Sequence, residues 1–572
     1  MRHSTRLAPS IRRLLLGGIW LMPLLFFALF YFYPLAAILR LGLWPEGRLD
    51  TAALGQLFTS RTILGVLWFT LWQAVVSTLL TLALAVPGAY VLARYRFRGQ
   101  SFIRAVATLP FVLPTVVVAA AFVALVGPSG VVNNWLVDAL ALDAPPIRLS
   151  QTVWIILLAH VFYNYSVALR LLSAYWQNLP PSLTQAAQML GASPARAFVT
   201  VTLPLLRPAI LAAAALVFTF TFTSFGVIVV LGGPRFATLE VEIYRQAINL
   251  FNLPVAAALS LWQIVFTFIL MAFYTRTQAR ISRPLRLGAR RAIERPVRSG
   301  REKLLVYGNA AAILVLIGGP LLALLGRSLR GAGGPTLAYY RALFTNRDDS
   351  LFFVPPVQAM ANSLAIALAA TLLAVTLAVI SAQLLTRWER PAGAGRGATF
   401  FARLLDPLLM LPLATSAVTL GLGYLIALGR PPLNLRASIV LLPIAHAVVA
   451  VPFVLRSVLP GFRGILPSLR EAAAMLGADG WHVWREVDWP LIRRPLLVGA
   501  LFAFTISMGE FGATLFLVRP ETPTLPIAIY RFLGQPGALN YGQALAMSVL
   551  LLLVCAVGFG AIEHFRLGGE EF

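Results

Sequence analysis

Apolar stretches long enough to cross a lipid bilayer recur along the whole of this 572-residue chain. A hydrocarbon core needs roughly 20 consecutive apolar residues of helix, and several runs exceed that. Composition agrees. The chain is 59% hydrophobic and 12% charged, whereas a soluble domain carries about 25% charged residues. The class is therefore all-α and polytopic. Twelve spans are expected, at about 15–39, 63–93, 104–127, 151–177, 206–232, 256–275, 304–326, 361–386, 404–428, 437–460, 495–518 and 542–563. The first follows a basic start (Arg2, Arg6, Arg12, Arg13). It is too long for a signal-peptide core and reads as a retained span.

The net charge of +25 would suggest nucleic acid in a soluble protein. Its location says otherwise. With the N-terminus in the cytoplasm, the cytoplasmic loops, tails and adjoining helix ends hold more than two thirds of the 46 Lys+Arg, as the positive-inside rule requires. The segment Arg276–Lys303 is the most basic. An even number of spans puts both termini in the cytoplasm. These arginines set topology and meet anionic lipid head groups, and no nucleic-acid partner is expected. The single cysteine, Cys555, cannot form an internal disulfide.

The chain repeats itself at an offset of 286 residues. His160 matches His446, Arg170 matches Arg456, and Pro181-Ser182-Leu183 matches Pro467-Ser468-Leu469. Phe225-Gly226 matches Phe511-Gly512, and Ile243-Tyr244-Arg245 matches Ile529-Tyr530-Arg531. Earlier segments correspond with small shifts: Thr78–Arg94 resembles Thr371–Arg387, and Leu113-Pro114-Thr115 resembles Leu411-Pro412-Leu413. Six spans per copy make this a parallel repeat. The expected division is a first half at 1–275, a basic cytoplasmic linker at 276–303 and a second half at 304–572.

The loops after the fourth and tenth spans read Pro181-Ser-Leu-Thr-Gln-Ala-Ala-Gln-Met-Leu-Gly191 and Pro467-Ser-Leu-Arg-Glu-Ala-Ala-Ala-Met-Leu-Gly477. Ser182-x-x-Gln185 and Ser468-x-x-Glu471 have the capping-box spacing. The Ala, Met and Leu run favours helix, and Gly191 and Gly477 suit a helix C-terminus. Each loop is expected to form a short cytoplasmic helix with an exposed apolar face, which usually marks a protein interaction site. The pattern Glu471-Ala472-Ala473, then Gly477, then Pro490 resembles the coupling-loop signature of ABC importer permeases. In the first copy Gln185 replaces the glutamate, while Ala186, Ala187, Gly191 and Pro204 fit.

The resemblance implies the type I importer permease fold in the inner (plasma) membrane. It implies two ABC ATPase subunits docked on these helices and a substrate-binding protein at the outer face. Transport would follow alternating access. A P-loop needs Gly-Lys-Ser/Thr, but the only lysine, Lys303, is followed by Leu304. The chain is thus expected to be no enzyme and to bind no cofactor; ATP-Mg would be used by the partner ATPase. Among fused permeases the chain looks most like those for thiamine and ferric iron. The residues behind this are Ala159–Asn164, Ser224-Phe225-Gly226, Leu231-Gly232-Gly233-Pro234, Thr238–Tyr244, Gly509–Gly512 and Thr524-Leu525-Pro526. The second-half segment also resembles molybdate and sulfate permeases.

The expected translocation path takes in His160, Asn164, Ser224, Phe225, Gly226, His446, Glu510, Phe511 and Gly512. Glu510 is the one acid placed well inside a span, where a carboxylate is costly. It either lines a path for a cation or packs with its hydrogen bonds satisfied. His160 and His446 have no second ligand at metal spacing and are read as interhelical hydrogen-bonding groups; no metal site is expected. Glu240 and Glu242, with Arg235 and Arg245, fall in an expected outward loop, either against a binding protein or solvated. The rival reading is a twelve-span carrier driven by an ion gradient, which needs coupling groups within the spans.

Overall fold

A computed structural model describes residues 18, 20–44, 48, 52–281, 294–331, 333–345, 354–389, 404–429, 434, 435 and 438–567. The four N-terminal arginines and the middle of the basic linker lie outside these residues. Among the described residues, eleven helices are long and apolar enough to span a membrane: Trp20–Leu43, Arg61–Arg94, Thr115–Leu140, Val153–Gln177, Pro194–Phe222, Leu253–Thr277, Gly300–Ser328, Pro356–Arg387, Leu441–Gly464, Gly480–Gly509 and Ala538–Glu563. A twelfth is a broken pair, Leu404–Ala414 and Ala417–Ala427, bent by 99°. The only described strands are two-residue pairings, one of them between Tyr95–Arg96 and Arg295–Pro296.

Two pairs of expected spans, the third with the ninth and the fifth with the eleventh, depart from continuous helix at matching places in the two copies. In the third span, helix Gln100–Thr108 passes through a 3₁₀ turn at Leu109–Val112 and restarts at Thr115. Pro114 lacks an N–H and holds Leu113 extended. In the second copy the turn is Leu411–Ala414, and Ser416 caps the restart by accepting from the Val418 N–H at 3.1 Å. The two Leu-Pro turns thus equate Leu109-Pro110 with Leu411-Pro412. This corrects the sequence match of Leu113-Pro114 to Leu411-Pro412 by four residues. In the fifth and eleventh spans, the helix stops at Phe222 and Gly509 and resumes at Gly226 and Gly512.

Contacts divide the chain into two compact units, and not along the sequence halves. One unit holds Met1–Leu49, Asn346–Ile527 and Leu553–Phe572; the other holds Asp50–Thr345 and Ala528–Leu552. Each unit therefore takes in the opening helix of the other repeat. In the first unit the helix Tyr33–Leu43 packs on Ala417–Ala427. Tyr424 donates to the Phe30 carbonyl at 2.8 Å, and the Tyr31 and Thr415 hydroxyls are 2.6 Å apart. In the second unit Gly319–Ser328 packs on Thr115–Val126, whose residues Val116 to Ala121 are fully buried. A helix apolar on every side belongs in such a core.

Small residues let the spans approach closely. A Cβ on Gly421 would stand 3.0 Å from the Ala513 Cα, backbone that cannot swing aside. Gly65, by contrast, has nothing within 4 Å. Gly421→Leu is therefore expected to lower the unfolding temperature in detergent by several degrees, since overpacking costs about 1–3 kcal/mol. Gly65→Leu should leave it unchanged.

Candidate functional site

The two expected loop helices are present as Pro181–Met189 and Pro467–Met475. Their starts differ from expectation. Proline occupies the first helical position in both, and no side chain caps either N-terminus. Proline's fixed φ suits that position, where an N–H would go unpaired, so each helix begins two residues before the start that a serine N-cap would give. Ser182 and Ser468 lie inside the first turn, and neither capping box forms.

The C-termini follow expectation. Gly191 and Gly477 have φ of +90° and +86°. The Ala192 N–H donates to the Ala187 carbonyl and the Gly191 N–H to that of Gln188; Ala478 and Gly477 repeat this on Ala473 and Ala474. This is a Schellman closure in both copies. It turns the chain sharply and leaves the preceding side chains in the open. No residue of either helix is buried. Gln185, Ala186, Glu471 and Ala472 are exposed, and Ala187 and Ala473 half-buried. Met189 and Leu190 are 89% exposed, Met475 and Leu476 90%. Large apolar side chains this bare, at matching positions in the two copies, mark a contact surface on each unit.

Past each glycine the chain is recaptured. Ser193 caps the turn at Pro194–Ala197, and Asp479 caps Gly480–Val483. The His482 backbone N–H, then its ring, hold the Asp479 carboxyl below its usual range. That cap is complete above the ordinary carboxylate range and lost as pH falls through the lowered value. Single π-helical turns, Phe198–Thr202 and Trp484–Asp488, then lead into the spans. Pro204 and Pro490 take the second position of the helices that follow.

The residues expected along the path gather into one cluster per unit. His160 lies 3.2 Å from the Ser77 hydroxyl through Nδ1 and 2.8 Å from that of Ser224 through Nε2. The Asn164 amide donates to the His160 carbonyl at 2.9 Å, and Phe225 stands beside Tyr244. In the other unit His446 reaches the hydroxyls of Ser507 and Thr514, at 2.7 and 2.9 Å. Both histidines join separate helical segments, as expected. Eight of the nine residues are buried, and Gly512 is half-buried.

Glu510 lies in the break after Gly509, not within a continuous span. Its carboxylate accepts from the Ala513 and Thr514 N–H groups at 2.8 and 2.9 Å and from the Thr514 hydroxyl, and it faces His446 Nε2 at 3.3 Å. It serves as the cap of helix Gly512–Leu517, the packing alternative for this residue.

Glu240 and Glu242 correct the outward-loop reading. They sit on the helix Leu239–Tyr244 at 2% and 0% exposure. Glu240 accepts from the Gln263 amide at 2.7 Å. Glu242 accepts from Gln246 at 2.6 Å and pairs with Arg245 at 2.8 Å. Their burial is the cost that those partners offset. The i,i+4 spacing of Glu242 and Gln246 was the available signal. Among the described residues, no group of three or more His, Cys, Asp or Glu is placed to hold a metal ion.

Residues 85–283 match a family model described as "Binding-protein-dependent transport system inner membrane component". The thiamine transport system permease protein of Brucella abortus is 29% identical over 492 residues, covering 85% of each chain. That of Escherichia coli K12 is 29% identical over 536 residues, covering 92% of this chain and 93% of its own. That of Haemophilus influenzae is 27% identical over 565 residues, covering 99% and 98%. Among solved structures, a bacterial ABC transporter that imports the acidic polysaccharide alginate has 21% identity and a TM-score of 0.40, over 48% of this chain.

The Schellman glycines give a test of the loop's local order. A residue with a Cβ at φ near +86° is disfavoured by about 1–2 kcal/mol, and open space around Gly477 leaves that as the whole effect. Gly477→Val is expected to speed amide exchange at Ala478 roughly tenfold. Gly477→Asn, which tolerates this conformation, should change it little.

Proposed function

We propose that this chain, a membrane-spanning permease of the ABC importer type and an inner membrane component of a binding-protein-dependent transport system, passes thiamine or a closely similar cation inward. The chain is a transport component and not an enzyme. Support for the solute comes from permeases named for thiamine transport that are 27–29% identical across 85–99% of this chain.

The observation that carries the mechanism is the pair of bare Met-Leu tips at Met189-Leu190 and Met475-Leu476. Two ATPase subunits, one per tip, would bury them in grooves. Each Met or Leu so buried contributes about 1.5–3 kcal/mol. A binding protein delivers solute at the outer face, ATP-driven closure of the ATPases draws the two helices together, and the spans open outward. Hydrolysis resets them. The bistable element is the permease, whose states differ in how they hold the ATPases. ATP-Mg is bound by those subunits, and this chain needs no cofactor of its own. Lipid, not nucleic acid, meets the arginines. An ion-driven carrier leaves the paired helices without a role.

The decisive measurement is thiamine uptake into proteoliposomes holding the chain, its ATPase and its binding protein. Uptake that requires ATP supports the reading; proton-driven uptake by the chain alone overturns it. Met189→Asp with Met475→Asp is expected to weaken ATPase copurification at least tenfold, with each single variant intermediate. Orientation has its own test. In a Cys555→Ala background, a cysteine at Gln188 should react with an impermeant maleimide only from the cytoplasmic side, and one at Phe251 only from outside. The reverse pattern would refute cytoplasmic termini.

A further inference from the structure

The repeat offset of 286 pairs more than the glycines of the two cytoplasmic helices. Each loop is closed by two contacts between matching positions. Trp176 at the end of one span stacks on Phe198 after the loop, with ring centroids 6.2 Å apart and planes 26° apart. The second copy exchanges the two rings: Phe462 stacks on Trp484 at 6.2 Å and 20°. One large and one smaller ring fill the joint either way. The second contact runs from the helix itself. In the first copy the hydroxyls of Thr184 and Thr202 are 3.2 Å apart. In the second, Arg470 Nε donates to Asp488 Oδ1 at 2.7 Å.

Position matters as much as chemistry. Residues 198 and 202, like 484 and 488, begin and end the π-helical turns. Four apart on a helix, they share one face. The first takes the aromatic contact and the second takes the helix brace. Thr202 and Asp488 are buried, at 7% and 8% exposure, although they lie in otherwise exposed segments. The tips at Met189-Leu190 and Met475-Leu476 are exposed; the braces tie the same helices to the segments that lead into the following spans.

We propose that Thr184–Thr202 and Arg470–Asp488 are equivalent positioning pairs that make each cytoplasmic helix move as one piece with the span after it, and that the second, ion-paired loop is the stiffer lever of the two. This rests on the importer reading above. A charge-assisted hydrogen bond is roughly twice as strong as a neutral one, and Asp488 is screened from water by burial. A displacement at Met475-Leu476 therefore passes into Trp489–Gly509 with less slack than one at Met189-Leu190 passes into Leu203–Phe222. The two ATPase contacts are then unequal in mechanical effect, even though their exposed surfaces match.

The test uses the full transporter, with its ATPase and binding protein, in liposomes. The readout is ATP hydrolysed per solute taken up, with ATPase copurification and unfolding temperature measured on the same samples. Arg470→Ala is expected to keep the ATPase bound and the protein folded, while raising ATP per solute about tenfold. Arg470→Thr with Asp488→Thr copies the pair that already folds in the first loop and should restore most of the coupling. Thr184→Ala should raise the ratio less than Arg470→Ala does. A wild-type ratio in Arg470→Ala with the ATPase retained overturns the brace and leaves the importer reading intact. An equal or larger effect of Thr184→Ala overturns the asymmetry. A wild-type chain that holds no ATPase overturns the importer reading, and this one with it.

Discussion

Within a bilayer core, every backbone N–H and C=O must find its partner inside the protein. Unbroken helix meets that demand by itself, so each interruption of helix needs a specific substitute. The breaks here show what those substitutes are. Ser416 supplies a cap where the two helices of its broken pair, Leu404–Ala414 and Ala417–Ala427, meet at 99°. Glu510 supplies two carboxylate oxygens to the first N–H groups of Gly512–Leu517. In the first repeat the corresponding break uses neutral groups: Thr238 donates to the Ser224 carbonyl at 2.8 Å, and His160 holds the Ser224 side chain. A carboxylate in this setting is a backbone device first, which explains why it is charged in one repeat only.

The two repeats keep geometry and let chemistry drift. The Thr70 hydroxyl accepts from the Leu239 N–H at 2.9 Å, and the Ser363 hydroxyl accepts from the Leu525 N–H at 2.7 Å. Ser193 and Asp479 cap matching turns, and Trp and Phe change places across the loop joint. Each substitution preserves a donor-acceptor relation or a filled volume. The constraint acts on the contact, and a single residue type is needed only where backbone conformation admits little else. Gly191 and Gly477 are such places.

That distinction governs how far the sequence could be read. Hydropathy reports burial against lipid or protein alike, so the spans were legible, but not that Trp20–Leu43 and Gly300–Ser328 each join the other repeat's unit. Glycine at a helix end reports backbone geometry directly, so Gly191 and Gly477 were placed correctly. Serine with a glutamine or glutamate three residues on reports a capping box only if nothing starts the helix earlier, and Pro181 and Pro467 do. Glu240 and Glu242 read as surface because a glutamate near arginines has the pattern of a solvated loop, whereas the amides of Gln263 and Gln246 that receive them in the interior carry no charge to signal the pairing. The joints at Arg470–Asp488 and Thr184–Thr202 were visible as matching positions at the repeat offset, but their chemistry differs, and identity matching passes over them.

A nine-residue helix is too short to be stable in water by its own hydrogen bonds, since isolated helices below about 12–15 residues are marginal. Helices in proteins usually gain stability from a buried face, and Pro181–Met189 and Pro467–Met475 have none. What remains is closure at the ends and one tether along the side: proline at the first position, the Schellman pair at the last, and the brace from residue 184 or 470 to the span. These hold the helix formed while its apolar side chains stay bare. A partner that binds it then avoids the ordering cost of folding a loop, and movement of the partner is not absorbed by unwinding. The same contacts that keep the surface exposed are thus the ones that let force leave it.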